Sequence, residues 1–303
     1  MPLTDHVAIV SLTTDISTRS LLQAAAAVQK QITRDFTSYW GLRATVNAFD
    51  DLGSVPSDYH PVVVFGDAQE LMGQVEFAIG GQAAAQLIDD FERDRLSGLH
   101  LNGFTRQPFA LVEASDTWSV ALSHEILELL ADPYGNRLVA AAHPRNPEQR
   151  VKYLLEICDP CQTTWYPVNG VPVSDFYTPR YFDPVDVDRS RYSFTGALER
   201  PLQILDGGYL SWIDPRDSGL YQLAAGNSDA VLVADLAALS RSTAPLRTVV
   251  DTNPRTPHLT RASLRPASSA RAASGAYDAV REASEGAALR TAEAVFSLAA
   301  ITG

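Results

Sequence analysis

The chain has 303 residues, 46% hydrophobic and 20% charged, and its 36 acidic residues outweigh 24 basic ones to give a formal net charge of −12. That composition fits a globular chain with a sizeable core and argues against a nucleic-acid-binding protein as a whole, since a polyanion would meet a like-charged surface. No apolar run approaches the roughly 20 residues that span a bilayer, and the start Met1–His6 lacks the basic-then-apolar pattern of a secretory signal. The expectation is therefore no membrane association, and a location that is cytoplasmic, or exported or particle-associated without a classical signal peptide.

In chain order, residues 6–13 (HVAIVSLT) read as a buried strand. Ser17 or Thr18 caps a helix that runs through Leu21, Val28, Ile32 and Phe36 to about Trp40, with Gly41 as its stop. Strands follow at 42–49 and 61–65, the latter (PVVVF) β-branched enough to be central. A short helix over 83–93 and a strand over 108–113 (PFALVE) come next. If that last strand lies at a sheet edge, it can hold an extended peptide by main-chain pairing beside the helix that follows.

Asp116 or Thr117 is the expected cap of that helix, and Asp132-Pro133 is its expected end, because the residue before proline avoids helical backbone. The helix carries Ser123-His-Glu-Ile-Leu-Glu128. On a period of 3.6 residues His124 and Glu128 stand one turn apart on one face with Glu125 beside them, while Trp118, Leu122, Ile126, Leu129 and Leu130 take the opposite face. His-Glu-x-x-Glu is one residue away from the His-Glu-x-x-His helix of zinc metallopeptidases, in which the histidines bind metal and the glutamate activates water. The competing reading is an amphipathic helix with a solvated polar face.

Residues 134–150 read as a loop rich in Pro, Arg and Asn, and 151–158 (VKYLLEIC) as a strand. Asn169-Gly170 between valines is a hairpin turn signal, and two further strands are expected near 202–205 and 209–212. Cys158 and Cys161 are the only cysteines and read as structural. From about Ser240 the composition turns to Ala, Ser, Arg, Thr and Pro, which reads as a linker or arm, with a helix over 271–301. From Arg241 onward eight arginines face five acids, a basic arm on an acidic body that could dock a protein partner or the chain itself. Three regions result: 1–133 with the site helix, a β-rich 134–240, and the arm 241–303.

Two ligands on one helix need a third from elsewhere, since zinc favours four ligands and a catalytic site keeps one position for water. Asp132 lies a turn too far along the helix and suits a cap or a salt bridge better. His143 is a loop candidate. Glu156 and Asp159 are better placed, and between these two the sequence does not choose. Tyr177, Tyr181 and Tyr192 are the candidates for a hydrogen bond to a developing oxyanion.

The segments Ser123–Pro133, Tyr153–Pro160, Asn169–Phe176 and Pro179–Pro184 together resemble a little-characterised group of bacterial and phage-associated zincin-like proteins, over about residues 105–190. The resemblance implies an α+β, zincin-like fold: a twisted mixed β-sheet, an active-site helix below its edge strand, and a β-rich C-terminal subdomain that supplies the last ligand. It implies His124 as first ligand and Glu125 as base, with Glu128 where the peptidases carry histidine. The expected function is a metal-dependent hydrolase, a zinc metallopeptidase with a peptide or protein substrate, in which Glu125 activates a water on one divalent ion. Zn²⁺ is the first expectation, and the carboxylate at 128 makes Mn²⁺, Fe²⁺ or Ca²⁺ more acceptable than at a two-histidine site. The alternative is a zincin-fold structural or binding component of a phage particle or secretion assembly.

Overall fold

Successive residues of Val62-Val-Val-Phe65 point to opposite sides of a sheet, and both sides are buried. Val62 and Val64 join Val7, Ile9, Ala110 and Val112 in the main core, whereas Val63 and Phe65 join Leu99, Leu101 and Leu111 in a second core. A strand apolar on both faces needs cover on both, which helices supply here. The computed structural model describes residues 4–71, 76, 81–92, 97–102, 107–235, 246–251, 253, 255–257, 259 and 263–267.

Five strands, β1 (Asp5–Ser11), β2 (Ala44–Phe49), β3 (His60–Phe65), β4 (Gly98–Asn102) and β5 (Pro108–Glu113), form the first sheet in the order β2-β1-β3-β5-β4. All neighbours run parallel except β4, which pairs antiparallel with β5. Helix α1 (Thr18–Lys30) starts at Ser17, whose side chain accepts from the Ser20 N–H. It passes into a π-helical stretch, Gln31–Phe36, and a last turn α2 (Thr37–Trp40) that ends at Gly41. Helix α3 (Gly81–Glu92) covers the second core with Leu87, Ile88 and Phe91.

The edge-strand expectation is corrected. β5 is interior, and the strand at the edge is β4, which the sequence reading left out. Period-two alternation turns Leu99 and Leu101 of β4 into the second core, so Gly98 and His100 face the other way, toward helix α4 (Trp118–Ala131). Thr117 sits at the N-cap of α4 but makes no capping bond, because its hydroxyl pairs with Ser115 Oγ at 2.9 Å. The reading of a solvated polar face is overturned: every residue from Val120 to Ala131 is buried. The helix lies between β5 and β4 on one side and β9 on the other.

Beyond Pro133 the expected loop over 134–150 is a hairpin, β6 (Leu138–His143) and β7 (Asn146–Leu154). Its Ala-Ala-Ala run and its Pro and Arg residues disguise it, and pairing with β10 (Tyr209–Asp214) stabilises it. With β11 (Gly219–Ala224) and β12 (Val231–Asp235) these strands form a second sheet, β12-β11-β10-β7-β6. A third holds β8 (Thr164–Val168), β9 (Val171–Ser174) and β13 (Arg265–Pro266) in the order β13-β8-β9. The β8–β9 turn is Asn169-Gly170 with φ of 51° and 83°, the paired left-handed geometry that Asn-Gly favours. Residues 202–205 are not a strand: the Leu202 and Leu205 N–H groups bond to Tyr181 O and Pro160 O, so the segment ties loops together.

Among the described residues the architecture is therefore mixed α+β with three sheets. Within the arm, 246–251 is not a linker but a short buried-sided helix, α5 (Leu246–Asp251). The expected helix over 271–301 lies outside the described residues. Among the described residues no helix is long and apolar enough to cross a membrane.

Candidate metal centre

The helical spacing of His124 and Glu128 brings His124 Nε2 to 3.2 Å from Glu128 Oε2. Glu128 is pinned from its other oxygen, which accepts the Cys158 N–H at 2.9 Å. That bond belongs to the bend Leu155–Cys158, held by Leu155 N–H to Arg137 O and Tyr177 N–H to Ile157 O. The bend delivers two further carboxylates. Asp159, opening a 3₁₀ turn, places Oδ1 at 3.3 Å from the same His124 nitrogen, and Glu156 lies alongside.

Arg247, from α5, reaches into this cluster. Its Nη1 donates to Glu128 Oε2 and Glu156 Oε2, its Nη2 lies 3.3 Å from Glu125 Oε2, and its Nε lies 2.9 Å from Asp251 Oδ2. On the sheet side His100 Nε2 bonds to the Asp132 carbonyl at 3.1 Å, and Nδ1 faces Glu125 Oε2 at 3.5 Å. Gly98 lies against Glu125 so closely that a Cβ there would come within 2.8 Å of Glu125 Cγ. The base candidate is thus wedged between an edge strand and a guanidinium.

Five carboxylates (Glu125, Glu128, Glu156, Asp159 and Asp251) are at most 5% exposed, and among the described residues Arg247 is the one arginine buried with them. Burial alone would raise Glu128, yet Arg247 and His124 outweigh it and hold the acid below the ordinary carboxylate range. Asp159 goes the other way: burial and the Glu128 charge push it well above that range. Burial raises Asp251 to about 6 against the pull of Arg247. His124 would be lowered by burial, but Glu128 and Asp159 overcome this and hold its pKa well above 6.5. The cluster is short of positive charge.

That shortage has a geometric counterpart. Glu156 Oε1 is buried without a hydrogen-bond partner, and the equally buried Asp159 carboxylate relies on its 3.3 Å ion pair with His124, a costly state for carboxylate oxygens unless a further cation or proton joins them. One ligand atom each from Glu128, Glu156 and Asp159 lie within 4.8 Å of one another. The same holds for His124, Glu128 and Cys158, and for His100, Glu125 and Glu128. Glu128 belongs to all three sets. Oxygen and imidazole donors converging on unpartnered atoms fit a divalent ion of borderline to hard character.

Comparison of the chain with protein-family profiles, with curated proteins and with solved structures gives no match. The chemistry of the centre therefore rests on its own geometry.

Other expected residues fall as follows. Asp132 Oδ2 accepts the Arg137 N–H at 2.6 Å at the helix end, a capping role. His143 is not near the cluster, since its ring packs edge-on to Trp212 with centroids 5.4 Å apart. The thiols of Cys158 and Cys161 are free and buried, and burial raises both pKa values. Two of the three tyrosines are corrected: Tyr181 OH donates to Gln203 O at 2.8 Å, and Tyr192 OH donates to Asp186 at 2.9 Å, so both hydroxyls are committed elsewhere. Tyr177 OH is buried without a partner but does not line the cavity beside the centre. The tyrosine that does is Tyr209, whose OH is 3.4 Å from Asp251 Oδ1.

Sequence reasoning missed His100, Tyr209, Arg247 and Asp251. A signal existed for His100, the one titratable residue within Gly-Leu-His-Leu-Asn, whose alternation marks a strand. None existed for Arg247, one of several arginines in a low-complexity stretch.

Proposed function

We propose that the protein is a metal-dependent hydrolase, a peptidase on a zincin-like fold, with His124, Glu128 and Asp159 as protein ligands of a Zn²⁺ or similar divalent ion and Glu156 beside them. The observation that carries this reading is the convergence of the buried Asp159 carboxylate on His124 Nε2, 3.3 Å from its Oδ1, and on Glu128. Asp159 is preferred to Glu156 as third ligand because its Oδ1 stands 3.3 Å from His124 Nε2, whereas Glu156 Oε2 pairs with Arg247. The zincin-like reading draws on the antiparallel edge strand β4 beside the ligand-bearing helix, and on a third ligand supplied after the helix by the following segment.

A bound ion would supply Lewis acidity toward a carbonyl oxygen and make a water easier to deprotonate. Glu125 lines the cavity and serves as the proton carrier, taking a proton from water and delivering it to the leaving nitrogen. His100, through its contact with Glu125 and its bond to the Asp132 carbonyl, fixes the carboxylate's orientation. Tyr209 also lines the cavity, with its hydroxyl held 3.4 Å from Asp251 Oδ1.

A specific observation favours a second reading, a structural or binding component without activity. Arg247 places a permanent positive charge among the same carboxylates, as a guanidinium substituting for a metal would. One experiment separates the two. Wild type and Glu125→Gln, both loaded with Zn²⁺ or Mn²⁺, are compared on a broad peptide library. The hydrolase reading expects cleavage by wild type and a loss of about 100-fold or more in the variant at equal metal content. Full loading without cleavage by either protein supports the structural reading.

A further inference from the structure

The cavity beside His124 and Glu125 is about 30 Å³, room for about one water and no peptide. One wall is the site itself, with Gly98, Ala121, His124 and Glu125. Arg247, Asp251, Thr256, Pro257 and Leu259, all from a single stretch of the C-terminal arm, line the cavity as well, together with Asp159, Gln162 and Tyr209. This stretch docks through identifiable contacts. The Leu246 N–H bonds to Asn136 Oδ1 at 3.0 Å, and the Arg247 N–H to Gly135 O at 3.1 Å. Thr256 Oγ1 bonds to Val250 O and meets Gln222, and Gln162 Nε2 donates to Pro257 O. Val250 seats in a small apolar cluster with Leu154, Tyr209, Ile213 and Leu220.

From this geometry we infer that the described residues 246–251, 253, 255–257 and 259 form an autoinhibitory strap whose Arg247 occupies the cation-binding carboxylates, so that strap docking and metal binding oppose each other. This rests on the metal-centre reading above and adds its regulation. The guanidinium contacts Glu128 and Glu156, two carboxylates that also fall within one ligand cluster with Asp159. A divalent ion placed there repels the guanidinium and takes its acceptors. Coupling between two binding events is reciprocal: removing Arg247 raises metal affinity, and adding metal loosens the strap. Withdrawal of the strap also removes the outer wall of the cavity and opens Glu125 to a substrate.

The test has two arms on the full-length chain. In the first, Zn²⁺ and Mn²⁺ affinities are measured by calorimetry for wild type, Arg247→Gln and His124→Ala. The strap predicts about tenfold or tighter binding in Arg247→Gln and lost binding in His124→Ala. In the second, limited trypsin digestion follows cleavage after Arg247 and Arg255, with and without the same ions. Metal should speed these cuts several-fold in wild type and not in His124→Ala. If wild type binds metal but Arg247→Gln binds it no more tightly, the strap is refuted while the metal centre stands. If neither protein binds metal, both fall. Should Arg247→Gln fail to fold, the trypsin arm decides, and cuts in wild type that metal does not accelerate refute the strap.

Discussion

Glu128 divides its work between two oxygens. Oε1 accepts the Cys158 N–H and ties the site helix to the segment that carries Glu156 and Asp159, while Oε2 faces His124 and Arg247. Glu128→Gln keeps an amide oxygen for Cys158 and removes the charge. We expect this variant to fold, to show weaker coupling to Arg247, and to lose metal affinity by at least about tenfold in a calorimetric titration. His124 carries the pH dependence. Its raised pKa means that the metal-free protein keeps an imidazolium above pH 6.5, stabilised by Glu128 and Asp159. That contribution to folding is fully present below the unfolded value and is lost as pH climbs through the folded one. Metal needs the neutral ring, so affinity should go on rising with pH above 6.5, where an ordinary histidine site would level off. An affinity that levels off at pH 6.5 would show that His124 is not held above its ordinary value. The trio His124, Glu125 and Glu128 was legible because a helical period is short-range. Arg247 was not, since it comes from 119 residues beyond Glu128 and nothing local marks it.

At the scale of elements, β4 decides how Glu125 is held. Its alternation sends Gly98 and His100 to the site, and Gly98 leaves no room for a side chain against Glu125. Gly98→Ala should force Glu125 aside and cost about 1–3 kcal/mol, the usual penalty for overpacking, seen as a lower unfolding midpoint together with reduced activity. An unchanged midpoint and rate would show that Glu125 is not wedged there. The β1, α1, β2 and β3 succession was readable from β-branched runs and a cap at Ser17. The β6–β7 hairpin was not, because Ala140 to Ala142 carry no strand preference and gain their place only by pairing with β7. Likewise β5 reads as an edge strand until β4 pairs beyond it, a tertiary fact with no sequence spacing of its own.

For the whole molecule, the deciding quantity is charge. The sequence showed an acidic body and a basic arm, but composition cannot say where the charges meet. In the fold they meet at the buried centre, where one guanidinium from the arm contacts four carboxylates, three from the body and one from α5 itself. Burying that many acids against one arginine is unfavourable without further positive charge, whether protons or a divalent ion. The most direct test is the metal content of purified wild type and His124→Ala after loading with Zn²⁺ and Mn²⁺ and removal of excess ion. The account predicts about one ion per chain in wild type, the number a single site holds, and a large loss in the variant. Equal metal content in the two proteins, or none in wild type at saturating ion, would contradict it.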